Sequence, residues 1–192
     1  MEYAYIFDFD GVLVNTMEAH FACYEKALAE VGVPIDKRQF FSQAGMTGRE
    51  QIVYFCRKAR KHPDVERIYR RKKALFKDYM DRITPIECNL QLIKKLKGAG
   101  VAVAIATGSS KSTITPIIEQ FGIDVDVVIS AEDVERGKPN PDLFLCAARE
   151  LKVQPAYCIV VEDSDVGIEA ASRAGMKAMR FYNGVAETVS GV

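Results

Sequence analysis

Asp8 and Asp10 stand on either side of Phe9 in Asp8-Phe9-Asp10-Gly11, directly after the apolar run Tyr3-Ala4-Tyr5-Ile6-Phe7. Two carboxylates held that close at the end of a buried segment repel one another, unless a cation or a shared proton relieves them. Glu162-Asp163 adds two more acids after a second apolar run, Cys158-Ile159-Val160-Val161. An all-oxygen cluster of this kind suits Mg²⁺, which keeps several waters and takes substrate phosphate oxygens as further ligands. Calcium fits less well, because the chain lacks a dedicated ligand loop.

Four acids alone would repel a phosphate, so phosphoryl transfer also needs donors and positive charge aimed at the transferring oxygens. Thr107 offers a hydroxyl after the run Val101 to Ala106, and Gly108 allows close backbone approach. Ser109 and Ser110 lead toward a helix whose first amides favour anions. Lys138 lies in Gly137-Lys138-Pro139-Asn140-Pro141, a stiff loop. Taken singly, an Asp pair at a strand end, a Thr-Gly and a Lys-Pro are ordinary turn sequences. A nucleotide phosphate loop is disfavoured, since Glu132 stands where the pattern ending in Gly137-Lys138 needs its first glycine.

The elements that must position these groups follow from the hydrophobic pattern. Short apolar runs at residues 3–7, 101–106, 127–129 and 158–161 read as buried strands, each ending in polar residues. Helical spacing lies between them, in Leu90, Ile93 and Leu96, in Ile114, Ile117, Ile118 and Phe121, and in Leu143, Phe144, Ala147, Ala148 and Leu151. Alternating strand and helix implies a parallel sheet whose strands end at one edge, where positions 8, 107, 138 and 162 are expected to meet. From Asn15 to Arg82 only helical patterns occur, which predicts an inserted helical unit. Its first helix is expected to open on a capping-box-like Asn15 and Glu18, to bury Phe21, Tyr24, Leu28 and Val31, and to stop at Gly32 and Pro34. The stretch after Phe181 reads as loop or fraying helix.

The chain has 192 residues, 48% of them hydrophobic, enough for a substantial core. Lys plus Arg and Asp plus Glu both number 26, so no strong overall field draws it to nucleic acid or an anionic membrane. No apolar run reaches the roughly 18 residues of a membrane span, and the start lacks the basic flank of a secretion signal, so a cytoplasmic protein is expected. The five cysteines form no Cys-x-x-Cys pair and are expected to be buried thiols in a reducing compartment.

In order, Phe7-Asp8-Phe9-Asp10-Gly11-Val12-Leu13-Val14-Asn15-Thr16, Ala106-Thr107-Gly108-Ser109, Gly137-Lys138-Pro139-Asn140-Pro141-Asp142 and Val161-Glu162-Asp163-Ser164-Asp165-Val166-Gly167-Ile168 resemble the haloacid dehalogenase superfamily, in its phosphatase and β-phosphoglucomutase-like branch, over almost the whole chain. The resemblance implies an α/β Rossmann-like core at residues 1–14 and 83–192 with an all-α cap at 15–82. It implies that Asp8 attacks phosphorus to form an aspartyl phosphate. Asp10 then protonates the leaving oxygen and later activates water, which calls for a raised pKa. Thr107 and Lys138 would hold the phosphoryl oxygens, with Gly108 and Ser109 beside them. Mg²⁺ would bind Asp8, the Asp10 backbone carbonyl and Asp163, with Glu162 touching it directly or through water. Asp165 is expected at a helix N-terminus.

Specificity is expected in the cap. His20 and Arg49 are the candidate substrate contacts, and the run Arg70-Arg71-Lys72-Lys73 reads as a solvated helix face from which Lys72 or Lys73 could reach the site. The presence of Asp10 argues against dehalogenation and phosphonate cleavage, where the resembling motifs lack a second aspartate. The expected activity is Mg²⁺-dependent hydrolysis of a small phosphorylated metabolite, of the sugar phosphate or phosphoglycolate type, by a monomer or weak dimer. A β-phosphoglucomutase-like sugar-phosphate mutase is the alternative, disfavoured by Thr107-Gly108-Ser109-Ser110 in place of that enzyme's serine-alanine-serine pattern. A receiver-type phospho-aspartate module is remote, since receivers lack both the helical insert and the paired Asp8 and Asp10.

Overall fold

The computed structural model describes residues 3–43, 45–182 and 185–188. Strand β1 (Ala4–Phe7) is nearly all buried, as its unbroken apolar sequence requires of a central parallel strand. Around it form β2 (Ala102–Ala106), β3 (Val127–Ile129), β4 (Cys158–Glu162), β5 (Lys177–Tyr182) and β6 (Val185–Thr188), in the spatial order β3-β2-β1-β4-β5-β6. All neighbouring strands run parallel except β6, which is antiparallel to β5.

The chain moves outward from β1 first toward β2 and β3, then crosses back to β4 on the other side. That reversal opens a crevice beyond the C-terminal end of β1, the usual ligand position in an open α/β sheet. Helices α5 (Glu87–Gly98) and α6 (Lys111–Phe121) cover one face through Leu90, Ile93, Ile114 and Ile117, packed with Phe7, Val103 and Ile105. Helices α7 (Asp142–Leu151) and α8 (Asp165–Arg173) cover the other, where Leu143, Phe144, Ala147 and Ala170 meet Ile6, Ala104 and Val160. Alternate strand residues thus supply the two faces, and the whole is a Rossmann-like α/β fold.

Between β1 and α5 come α1 (Met17–Ala29), α2 (Lys37–Ser42), α3 (Gly48–Lys58) and α4 (Val65–Phe76). Tyr24 and Leu28 of α1, Phe40 of α2, Ile52 and Phe55 of α3 and Ile68 and Phe76 of α4 are buried in one apolar cluster that continues into the α5 and α6 face of the sheet. No helix among the described residues is long and apolar enough to cross a membrane.

Three local expectations differ from the structure. Helix α1 begins after Thr16 without a side-chain cap. Asn15 instead donates from its backbone N and from Nδ2 to Thr84, at 2.9 and 3.0 Å, tying the exit of the helical segment to its return. The segment after Phe181 contributes β6 rather than a loop or helix, because β5 leaves an open edge on which it can pair. Residues 183–184 and 189–192 of that segment lie outside the described residues. Cys88 is exposed in the first turn of α5, while Cys23, Cys56, Cys146 and Cys158 are buried.

Candidate active site

The turn after β1 requires a glycine. Gly11 has φ +87°, and any side chain there would run into the Asp163 carboxylate. The Asp8 backbone N donates to Val161 O at 2.9 Å, which locks the first acidic motif beside the last. Lys138 enters from the loop before α7, fully buried, and its Nζ bridges Asp8 Oδ1 at 2.6 Å and Glu162 Oε2 at 2.7 Å. Burial alone would discharge this lysine, but the two carboxylates outweigh burial and keep it protonated.

One ammonium cannot satisfy every acid around it. Burial, together with the charges of Glu162 and Asp10, pushes the Asp8 carboxyl up to about 7 despite Lys138. Burial, Glu162 and Asp8 push Asp163 up to about 9. Glu162 goes the other way: burial is overcome by Lys138 and by donors from Ser164, and its carboxyl falls below the usual range. Its Oε1 accepts from Asp163 N, Ser164 N and Ser164 Oγ at 3.1, 3.0 and 2.8 Å. Asp8, Glu162 and Asp163 present carboxylate oxygens all within 4.8 Å of one another, which fits a divalent cation. Glu162 has both oxygens engaged already, so Asp8 and Asp163 carry the unmet negative charge. With such a cation bound, Asp8 and Asp163 are the carboxylates able to hold it.

That excess of negative charge has a measurable consequence. The folded chain keeps protons on Asp8 and Asp163 that the unfolded chain releases near 3.8. Their contribution to stability is therefore fully present below that value and is lost as pH rises through about 7 and about 9. Without metal, the thermal midpoint should fall between about pH 5 and pH 9. Magnesium at a hundred times its dissociation constant should raise it by roughly 5–10 °C, more at the alkaline end. A midpoint equally insensitive to Mg²⁺ across that range would count against a metal at these acids.

Asp10 sits in a different environment. Its Oδ1 accepts from Thr16 Oγ1 and lies 3.1 Å from His20 Nε2, while Oδ2 accepts from Ser109 Oγ at 2.5 Å and Thr107 Oγ1 at 3.4 Å. Burial alone would raise this carboxyl; the hydrogen bond from His20, with those from the Ser109 and Thr16 hydroxyls, holds it below the usual carboxylate range. The raised pKa expected of Asp10 is therefore not found at rest, because donors from two separate segments, Thr16 with His20 and Thr107 with Ser109, converge on it.

His20 is a buried member of α1, stacked on Phe76 with ring centroids 4.4 Å apart. Its Nδ1 lies 2.8 Å from Lys72 Nζ, and Lys72 is buried on α4 over the rings of Tyr24 and Phe76. Burial lowers Lys72 to about 8. A charged Lys72 donates to Nδ1, which leaves the His20 proton on Nε2, facing Asp10.

Asp8, Asp10, His20, Thr107, Gly108 and Ser109 all line one cavity that is partly open to solvent. Arg49 does not line it. Its guanidinium pairs with Glu66, with Nη2 3.0 Å from Oε2, and lies 4.2 Å over the Tyr69 ring. Lys72 turns inward from the basic run, while Arg70 and Arg71 stay exposed. Ser110 and Gln51 also line the cavity and Thr16 donates to Asp10; Gln51 carried no distinctive signal in the sequence, because single amides on helices are common. Asp165 begins α8 and pairs with Arg180 at 2.7 Å.

A parallel sheet with paired acids, a buried lysine and hydroxyl donors beyond its central strand defines an α/β enzyme built to handle an anionic group next to a cation. The model of the haloacid dehalogenase-like hydrolases matches residues 5–181. The chain belongs to this family. It is 30% identical to the β-phosphoglucomutase of Bacillus subtilis, over 94% of this chain and 84% of that protein. It is 33% identical to the bifunctional riboflavin kinase/FMN phosphatase of Arabidopsis thaliana, over 91% of this chain but only 47% of that longer protein. The solved β-phosphoglucomutase of Clostridium difficile superposes with a TM-score of 0.84 at 27% identity, covering 95% of this chain and 86% of that one.

Proposed function

We propose that the chain is a Mg²⁺-dependent phosphatase that hydrolyses a small phosphorylated metabolite, of the sugar phosphate or phosphoglycolate type, through an aspartyl phosphate on Asp8. The observation that carries this reading is Asp8 itself, held by Lys138 through one oxygen, with Asp10 lining the same cavity. The free Asp8 oxygen attacks phosphorus, and the ester oxygen leaves with a proton from Asp10. Asp10 must gain that proton first, and the chain from Lys72 Nζ through His20 to Asp10 Oδ1 offers a route for it. Afterwards the ionised Asp10 takes a proton from the water that attacks the aspartyl phosphate, releasing inorganic phosphate and restoring Asp8. Mg²⁺ supplies charge neutralisation between the Asp8 carboxylate and the incoming anion. Thr107, Ser109 and Lys138 orient the phosphoryl oxygens, and residues 15–82 act as a cap that covers them.

Hydrolysis is favoured over a mutase reaction by the far wall of the cavity. A mutase must clamp a second phosphate and keep water from the phosphoenzyme. Among the described residues, that wall offers one cation, Lys72, already given to His20, and otherwise neutral side chains, Met17, Tyr24, Phe40, Met46, Gln51, Tyr69, Ser110 and Thr113. Such a surface offers no charged anchor for a second phosphate. A panel of sugar phosphates, phosphoglycolate and nucleotides, assayed for free phosphate and for isomerised product, tests the reading. Phosphate release that requires Mg²⁺ is expected. Isomerised product without net phosphate release would replace the phosphatase by the mutase.

A further inference from the structure

The loop leading into α3 sits on the core through unusually close backbone contacts. A Cβ at Gly108 would meet the carbonyl oxygen of Met46 at 2.6 Å. At Gly137 it would meet Thr47 Cγ2 at 2.7 Å and run into the Glu50 carboxylate. Both glycines therefore mark places where helical segment and core touch backbone to backbone or backbone to side chain.

One of these contacts is a hydrogen bond from the core backbone to an ionisable side chain. Glu50 is the third residue of α3 and closes its capping box, with Oε2 accepting from Thr47 N at 2.9 Å and from Thr47 Oγ1 at 2.6 Å. A capping box uses one carboxylate oxygen, which leaves the other free. Here Oε1 accepts from the Gly137 backbone N at 3.1 Å. The other end of the Gly137 peptide unit is fixed too, since its carbonyl accepts from Asn140 N and Asn140 Nδ2, both at 3.0 Å. The next residue along is Lys138, whose ammonium must reach both Asp8 and Glu162.

We propose that Glu50 is a positioning residue for Lys138. When the helical segment lies on the core, its carboxylate pins the Gly137 amide and so fixes the backbone from which Lys138 extends, and the lysine is fully set only while the cavity is covered. The inference rests on the reading of Lys138 as a phosphoryl ligand. It links covering of the site to its chemistry through one charge-assisted hydrogen bond, so that an uncovered site is a poor catalyst of phosphoryl transfer to water.

Glu50→Asp separates the two jobs of the carboxylate. Aspartate serves at the same capping position elsewhere in this chain, Asp133 with Ser130, so α3 keeps its cap. One methylene shorter, it cannot also reach Gly137. The expected result is faster amide hydrogen exchange at Gly137 with that at Thr47 unchanged. With the best substrate of the panel, kcat should fall roughly tenfold with little change in KM, and Glu50→Gln should recover part of that loss. Wild-type exchange at Gly137, or faster exchange with wild-type kcat, overturns the proposal. A wild-type protein that releases no phosphate from any substrate would instead sink the phosphatase reading, while protection of the Gly137 amide by Glu50 would still be visible in the exchange.

Discussion

Asp8→Asn should leave the fold intact and reduce phosphate release on the order of 10⁴-fold or more, because a carboxamide is too weak a nucleophile to replace the carboxylate. The amide keeps the shape of the side chain and an acceptor for Lys138. It also removes a carboxylate that burial and its acidic neighbours have pushed up to about 7. At alkaline pH without metal the variant should therefore melt no lower than the parent protein, and higher if the repulsion among Asp8, Glu162 and Asp163 is as strong as their spacing indicates. Circular dichroism melts beside the phosphate assay separate a lost nucleophile from a lost fold. Full activity in Asp8→Asn removes the mechanism.

Lys138→Met should be the most damaging single change to the protein as a whole. It leaves Glu162, fully buried, without a counter-charge, and leaves Asp8 facing it. Breaking a buried ion pair from one side typically costs about 3–5 kcal/mol, a large part of the stability of an ordinary domain. The partner experiment is the double variant Lys138→Met with Glu162→Gln. Removing the stranded charge should restore much of the lost stability, while activity stays absent because the ammonium proposed to orient Asp8 and the phosphoryl oxygens is gone. A double variant as unstable as the single one would mean that the lysine stabilises the fold through its ammonium over the Phe144 ring rather than through its ion pairs.

The acidic, hydroxyl and lysine motifs could be read in the sequence because each follows directly on a strand or lies in the loop before a helix, and a parallel sheet gathers strand ends at one edge whatever the details of packing. The helical segment could be read for the same reason in reverse, as a break in strand and helix alternation. What could not be read depends on rotation and reach. Whether Arg49 or Lys72 turns toward the cavity is set by how α4 packs against α1 and α3: from α4, Lys72 meets His20 of α1 and the aromatic rings, while Arg49 of α3 finds Glu66 of α4 outside. The resting state of Asp10 depends on donors from Thr16, His20, Thr107 and Ser109, and local sequence around Asp10 says nothing of the last two. Strand β5 carries Lys177 and Arg180 among its apolar residues, so its alternation is too broken to announce a strand. Glu50 carried no signal in the sequence, since only the approach of Gly137, far away along the chain, gives its second oxygen a partner.

The central claim is that a phosphoryl group passes through Asp8. Mixing the protein with Mg²⁺ and its best substrate, quenching in acid within the first turnover and mapping the peptides by mass tests this directly. The phosphoryl group should be found on the peptide bearing Asp8 and be missing in Asp8→Asn. A phosphoryl group on any other residue, or rapid phosphate release with no phosphorylated peptide at any time, would contradict it.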